Sequence, residues 1–125
     1  MHVQISRVKI VGGRIQEATQ LFRESVLPVV VEQPGFIKFY LFSDPTQDEL
    51  IIESFWDTSE NIEALQVSGF YQQQVGKFGA IFAAPPERRV FTVVLEYWKS
   101  LSWVCHKYER PIPEALVGKI KGVFT

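Results

Sequence analysis

The sequence predicts an α+β domain in which a four-stranded antiparallel sheet carries two helices on one face, in the order βαββαβ. Three observations predict it. Twice between residues 3 and 96 the apolar residues change from a strand-like to a helix-like period and back. The connection between the second and third strand segments is short, which favours an antiparallel hairpin. Glycine and proline punctuate the joints between segments.

Val3 to Ile10 reads as the first strand, with Val3, Ile5, Val8 and Ile10 among polar neighbours. Gly12-Gly13 breaks it and reads as a turn, not as a phosphate cradle. From Ile15 the period becomes helical, and Ile15, Ala18, Phe22, Val26 and Val29 form one apolar stripe. Pro28 predicts a kink or break, because proline lacks the backbone donor and clashes with the preceding turn. Gln33-Pro34-Gly35 closes the segment. Phe36 to Phe42 reads as the second strand, Ser43-Asp44-Pro45 as a turn, and Glu49 to Trp56 as the third strand. Thr58 or Ser59 can cap the next helix. Its inner side is supplied by Ile62, Leu65, Phe70, Val75 and Phe78, with an interruption at Ser68-Gly69. After a linker at Ala83 to Pro86, Arg89 to Glu96 reads as the fourth strand.

This is the ferredoxin-like plan, and it has a consequence. Both helices cover one sheet face, so the other should be polar in a monomer. Strict alternation instead sets Ile37, Phe39 and Leu41 against Phe36, Tyr40 and Phe42. It also sets Leu50, Ile52 and Trp56 against Ile51 and Phe55, and Phe91, Val93 and Leu95 against Val90 and Val94. Both faces are apolar. A patch of that kind predicts a homodimer formed sheet to sheet.

Composition narrows the setting. The 125 residues include 46% apolar side chains, which excludes a disordered chain. A net charge of -1 gives no support for nucleic-acid binding. No stretch is apolar for long enough to span a bilayer, and no secretory signal is evident. With Cys105 as the single cysteine, no intramolecular disulfide can form, and the cytoplasm is the expected compartment. Two histidines and one cysteine, unpaired in sequence, predict no metal site. The charge is uneven. Residues 1–96 carry 8 basic and 12 acidic side chains, whereas residues 97–125 carry 5 and 2, together with two of the three tryptophans. We therefore expect a domain at 1–96 and an extension at 97–125 that packs on its own or the partner subunit. Trp98, Leu101, Cys105 and Tyr108 in the extension have helical spacing, Pro111 and Pro113 end that pattern, and Glu114 to Phe124 can form another short helix.

The ordered combination of Pro34-Gly35-Phe36, Glu53-Ser54-Phe55-Trp56-Asp57 and Glu63-Ala64-Leu65 with Ser68 resembles the antibiotic biosynthesis monooxygenase domain. That family belongs to the dimeric α/β-barrel superfamily. The resemblance covers residues 3–96. It implies a dimer with facing sheets and a ligand pocket between helices and sheet in each protomer. Similar proteins include oxygenases of aromatic compounds that use no metal or flavin, so no cofactor is expected. They also include haem degraders, quinol oxygenases and many proteins of unknown role. Haem degraders carry a histidine ligand on the second helix, and Leu65 to Tyr71 contains none.

The candidate substrate-pocket residues are Trp56, Tyr71, Phe70, Tyr40, Phe22 and Phe78, with Phe82 as a further aromatic. Trp56 reads either as a wall that stacks on a planar substrate or as a core tryptophan. Tyr71 reads either as a donor to a quinone-type oxygen or as a surface residue. Asn61 is a candidate polar or capping group, and Arg88 and Arg89 are candidates for an anionic substrate or for plain solvation. No general base is identifiable; His106 has no neighbours that select it. Two function classes follow. One is a cofactor-independent monooxygenase acting on a small aromatic or quinone-like compound. The other is a non-catalytic module that binds a small ligand or serves assembly.

Overall fold

In a computed structural model, residues 1–99 are described. The strands are β1 (His2–Lys9), β2 (Phe36–Asp44), β3 (Glu49–Trp56) and β4 (Glu87–Thr92), in the sheet order β2-β3-β1-β4, all antiparallel. Between β1 and β2 lie α1 (Ile15–Leu21), a π-helical turn (Phe22–Val26) and α2 (Leu27–Val30). Between β3 and β4 lie α3 (Ser59–Val67), α4 (Phe70–Gly76) and a 3-10 turn (Gly79–Ile81). This is the ferredoxin-like fold. Both helical segments cover one sheet face, where Ala18, Phe22, Val26, Val30, Ile62, Phe78 and Ile81 bury against Val8, Ile10, Leu50 and Trp56.

Local chemistry accounts for the joints. Thr58 caps α3, its Oγ1 accepting from the Asn61 backbone N–H at 3.3 Å. Gly69 ends that helix in the left-handed region, so α3 and α4 are separate. Gly35 also has positive φ, and its bare backbone lies against the side-chain amide of Asn61. The β2–β3 turn is held by Asp44, whose Oδ1 accepts from the Thr46 backbone N–H at 3.1 Å and from the Thr46 hydroxyl at 2.6 Å. These bonds hold the Asp44 carboxyl below its usual pKa, the hydroxyl bond first.

Three expectations are corrected. Of the kink or break expected at Pro28, the structure shows a change of helix type instead of a break, with Pro28 in the first turn of α2. The wider π turn lies directly upstream and takes up the disruption, with the Leu27 N–H donating to the Phe22 carbonyl. That turn uses more residues per revolution, so the buried stripe runs through Val30, and Val29 is exposed. In β2 a bulge between Phe36 and Lys38 shifts the alternation. Phe36 therefore faces the helices, edge-on to Trp56 at 5.6 Å between centroids. Phe36, Phe39 and Leu41 pack on the core, which Ile37 does not join. Lys38 falls on the outer face, over the rings of Tyr40 and Phe55. Finally, β4 is Glu87–Thr92 and not Arg89–Glu96, because its ladder with β1 runs from Arg7↔Glu87 to His2↔Thr92, the start of β1.

By contacts the chain divides into compact units at Met1–Thr92 and Val93–Thr125. In the described part of the second unit, the Trp98 indole N–H donates to Glu96 at 3.4 Å. The expectations for Cys105, His106, the helical spacing from Leu101 to Tyr108 and the stretch Glu114 to Phe124 lie outside the described residues. Among the described residues no helix is long and apolar enough to cross a membrane.

Candidate functional site

The helix-facing side of the sheet is not apolar throughout. On β1 the residues of this face are Gln4, Ser6, Val8 and, just beyond the strand, Ile10; on β3 they are Leu50, Ile52, Ser54 and Trp56. Register places Val8 beside Leu50 and Gln4 beside Ser54. One end of the face is therefore a packed apolar core. At the other end Gln4, Ser6 and Ser54, all buried, form a polar floor. Short hydroxyl side chains do not fill the space under the helices. A cavity of about 80 Å³ remains there.

Aromatic and aliphatic groups wall the cavity. Phe22 and Val26 come from the π turn and Val30 from α2; Phe39 and Ile52 come from the sheet. Leu65 comes from α3, and α4 contributes Phe70, Tyr71, Gln74 and Val75; Phe78, Phe82 and Pro86 complete the wall. Phe78 packs at 4.5 Å from Phe22 and stacks on Phe82 at 4.3 Å. Tyr71 and Pro86 are half-buried, so the cavity approaches solvent on their side.

Two polar arrangements shape the site. The indole N–H of Trp56 donates to Ser54 Oγ at 2.9 Å, which fixes the Trp56 ring and leaves the serine proton free to donate. At the edge, Arg88 of β4 donates to Gln4 Oε1 at 3.3 Å, and its guanidinium lies 4.9 Å from the centre of the Tyr71 ring. A positive charge thus contacts two of the lining residues, although Arg88 is not itself part of the lining. None of the lining residues is Asp, Glu, His, Lys or Cys. Among the described residues no cluster of His, Cys, Asp or Glu could hold a metal ion.

Of the residues singled out from sequence, Trp56, Tyr71, Phe70, Phe22, Phe78 and Phe82 come together around this cavity. Tyr40 does not join them. Alternation after the bulge turns it to the outer sheet face, where it stacks with Phe42 and meets Phe55 edge-on. Arg88 and Arg89 part company for the same reason. Arg88 reaches the cavity edge, whereas Arg89 lies over Phe91. Asn61 lies against Gly35.

Sequence reasoning missed Gln4, Ser6, Ser54 and Gln74. Grouping Val3 and Ile5 with Val8 and Ile10 breaks the two-residue period. Extending the period backward from Ile10 and Val8 reaches Ser6 and Gln4, and extending it from Leu50 and Ile52 reaches Ser54.

The fold and the position of this pocket define a class of small α+β proteins with an aromatic-walled cavity between sheet and helices. The family model for antibiotic biosynthesis monooxygenase matches residues 1–77, and the chain belongs to that family. No curated protein matches the chain significantly. Among solved structures it is similar to the haem-degrader MhuD from Mycobacterium tuberculosis, with two haems bound in its active site. The TM-score is 0.65 at 19% identity, covering 78% of this chain and 100% of that one. It is also similar to SnoaB, a cofactor-independent oxygenase from Streptomyces nogalater. There the TM-score is 0.61 at 14% identity, covering 76% of this chain and 94% of that one. At these identities the likeness concerns the fold.

Proposed function

We propose that the cavity binds a small aromatic or quinone-like compound and that the protein oxidises it with O2 and no cofactor. The observation that carries this reading is the placement of Arg88 against Gln4 and Tyr71, two residues that line the aromatic-walled cavity. An aromatic alcohol gives up an electron to O2 far more readily as its anion. A guanidinium beside the ring stabilises that anion in a low-dielectric site. One oxygen atom of O2 enters a ring carbon, and the other leaves as water with two substrate hydrogens. A phenol thus becomes a quinone. Trp56 and the phenylalanines hold the ring, and Ser54 and Tyr71 supply hydroxyl donors to its oxygens.

The cavity volume limits the substrate. A cavity of about 150 Å³ holds benzene, so about 80 Å³ suits no more than one ring, with some outward movement of the wall. Haem, which MhuD binds, does not fit these residues. Neither α3 nor α4 contains a histidine to serve as axial ligand, and the volume is far below that of pockets for large ligands. A haem titration is expected to leave the Soret band unshifted.

Oxygen uptake with single-ring phenols and hydroquinones tests the proposal. Uptake with one atom of 18O2 in the product is expected, and it should fall at least tenfold on changing Arg88→Met, Trp56→Ala or Tyr71→Phe. Binding without uptake would favour the second reading, a ligand-binding module. The absence of a base among the lining residues supports that reading.

The outer sheet face supports a homodimer. Tyr40, Phe42 and Phe91 are exposed there, beside half-buried Ile51 and Phe55. Light scattering should give twice the 14.4 kDa chain mass. Phe42→Glu should return the protein to that mass, and a monomer at micromolar concentration would remove this part of the proposal.

A further inference from the structure

Resting on the reading of the cavity as a site for a hydroxylated ring, we infer that Gln74 selects the hydroxyl. Gln74 stands on α4 and lines the cavity from the helix side. Its Oε1 is sealed from solvent with no donor in reach, the one such side-chain atom among the described residues. Buried polar atoms are almost always paired, and an exception in a cavity wall points to a partner that arrives from outside.

The protein does not supply that partner. The wall residues Phe70, Val75, Phe78 and Phe82 have no side-chain donor, and the Tyr71 hydroxyl makes no bond to Gln74 Oε1. The hydroxyls of the floor, Ser6 and Ser54, belong to the sheet and make no bond to Gln74 Oε1 either. The cavity therefore has a polar floor on the sheet side, the unpaired Gln74 oxygen and the Tyr71 hydroxyl on the helix side, and apolar surface between. The ligand class matching that pattern is a single ring with hydroxyl groups at opposite ends. One hydroxyl meets the floor, and the other donates to the Gln74 amide oxygen. An ether at the second position has no proton to give.

Anaerobic calorimetry with methylhydroquinone and 1,4-dimethoxybenzene tests this, because exclusion of O2 separates binding from turnover. The intact protein should prefer methylhydroquinone by about tenfold, the worth of one hydrogen bond. Gln74→Met should weaken methylhydroquinone by that factor and leave 1,4-dimethoxybenzene unchanged. The same variant should melt no lower than the parent, since it removes an unpaired buried oxygen. Gln74→Glu, which keeps an acceptor oxygen, should retain the preference. Equal binding of both compounds by the intact protein, or the full preference surviving in Gln74→Met, would overturn the role of Gln74 and leave the pocket reading standing. If neither compound binds the intact protein, the pocket reading falls and the inference falls with it.

Discussion

The bond between Trp56 and Ser54 offers a quantitative test of how the cavity floor is built. Trp56 is 2% exposed and Ser54 7%, so the indole N–H has no water to turn to when the serine oxygen is removed. Ser54→Ala should then cost about 2 kcal/mol, the penalty for an unpaired buried donor. In a Trp56→Phe background the donor is already gone. There the same substitution removes only a hydroxyl that lines an apolar cavity, and its cost should fall to about zero. Trp56→Phe alone should cost about 2 kcal/mol, through lost packing around the cavity. The double variant should thus be about as stable as Trp56→Phe, a coupling of about 2 kcal/mol. Urea unfolding at one fixed protein concentration reads this, since the midpoint of a dimer would depend on concentration. With a slope of about 1–2 kcal/mol per molar, Ser54→Ala should move the midpoint by about 1–2 M in the parent and hardly at all in the Trp56→Phe background. Costs that agree in both backgrounds to within about 0.5 kcal/mol would refute the reasoning, because independent sites add to that accuracy.

Gly35→Ala should cost about 3 kcal/mol, from positive φ and from overlap with the Asn61 amide; in an Asn61→Ala background the cost should fall to about 1 kcal/mol, which thermal unfolding of the four proteins can check. With no acidic or basic group lining the cavity apart from the phenol of Tyr71, the oxidation rate should rise with pH toward the phenolic pKa of the substrate, about 10, with no bell-shaped profile. Arg88→Met should move that rise upward by about one unit. Glu17 and Asp44 are held below their ordinary values of 4.5 and 3.8, by the Arg14 guanidinium and by Thr46 respectively. A lowered folded pKa contributes stability above the ordinary value that is lost as pH falls through the folded one. Both groups are exposed, so the acid-side loss should be small; Thr46→Val should remove the Asp44 part, as read by denaturant midpoints at pH 7 and pH 3.

The sequence carried the fold because periods and punctuation are local. The span Glu49–Trp56, the caesura at Gly69 and the pairing of β2 with β3 all follow from residues a few positions apart. Two insertions of phase escaped it. The bulge at Ile37 and the π turn at Phe22–Val26 each spend an extra residue without a distinctive composition, and each reverses or advances the side chains beyond it. Phe36, Ile37 and Val29 depart from their expected faces for that reason. In the site, large aromatic residues advertise themselves, and five of the six candidates do line the cavity. Gln4, Ser6, Ser54 and Gln74 look like ordinary solvent-facing residues until the sheet parity and the helix above them are known.

The polar floor also grades the molecule along its strands. Where Val8 meets Leu50 the sheet is sealed by apolar packing, and these residues are among the least exposed of the described residues. Four residue pairs further along, Gln4 and Ser54 face a void, and no residue of α4 above them is buried. Cohesion is therefore concentrated at one end and given up at the other. Fluctuations that admit a ligand can open the α4 end while the Val8–Leu50 end stays closed. Amide exchange should follow that gradient, with slow protons around Val8 and Leu50 and faster ones along α4. Strengthening the cavity end with larger apolar residues would stabilise the protein and close the cavity in the same step.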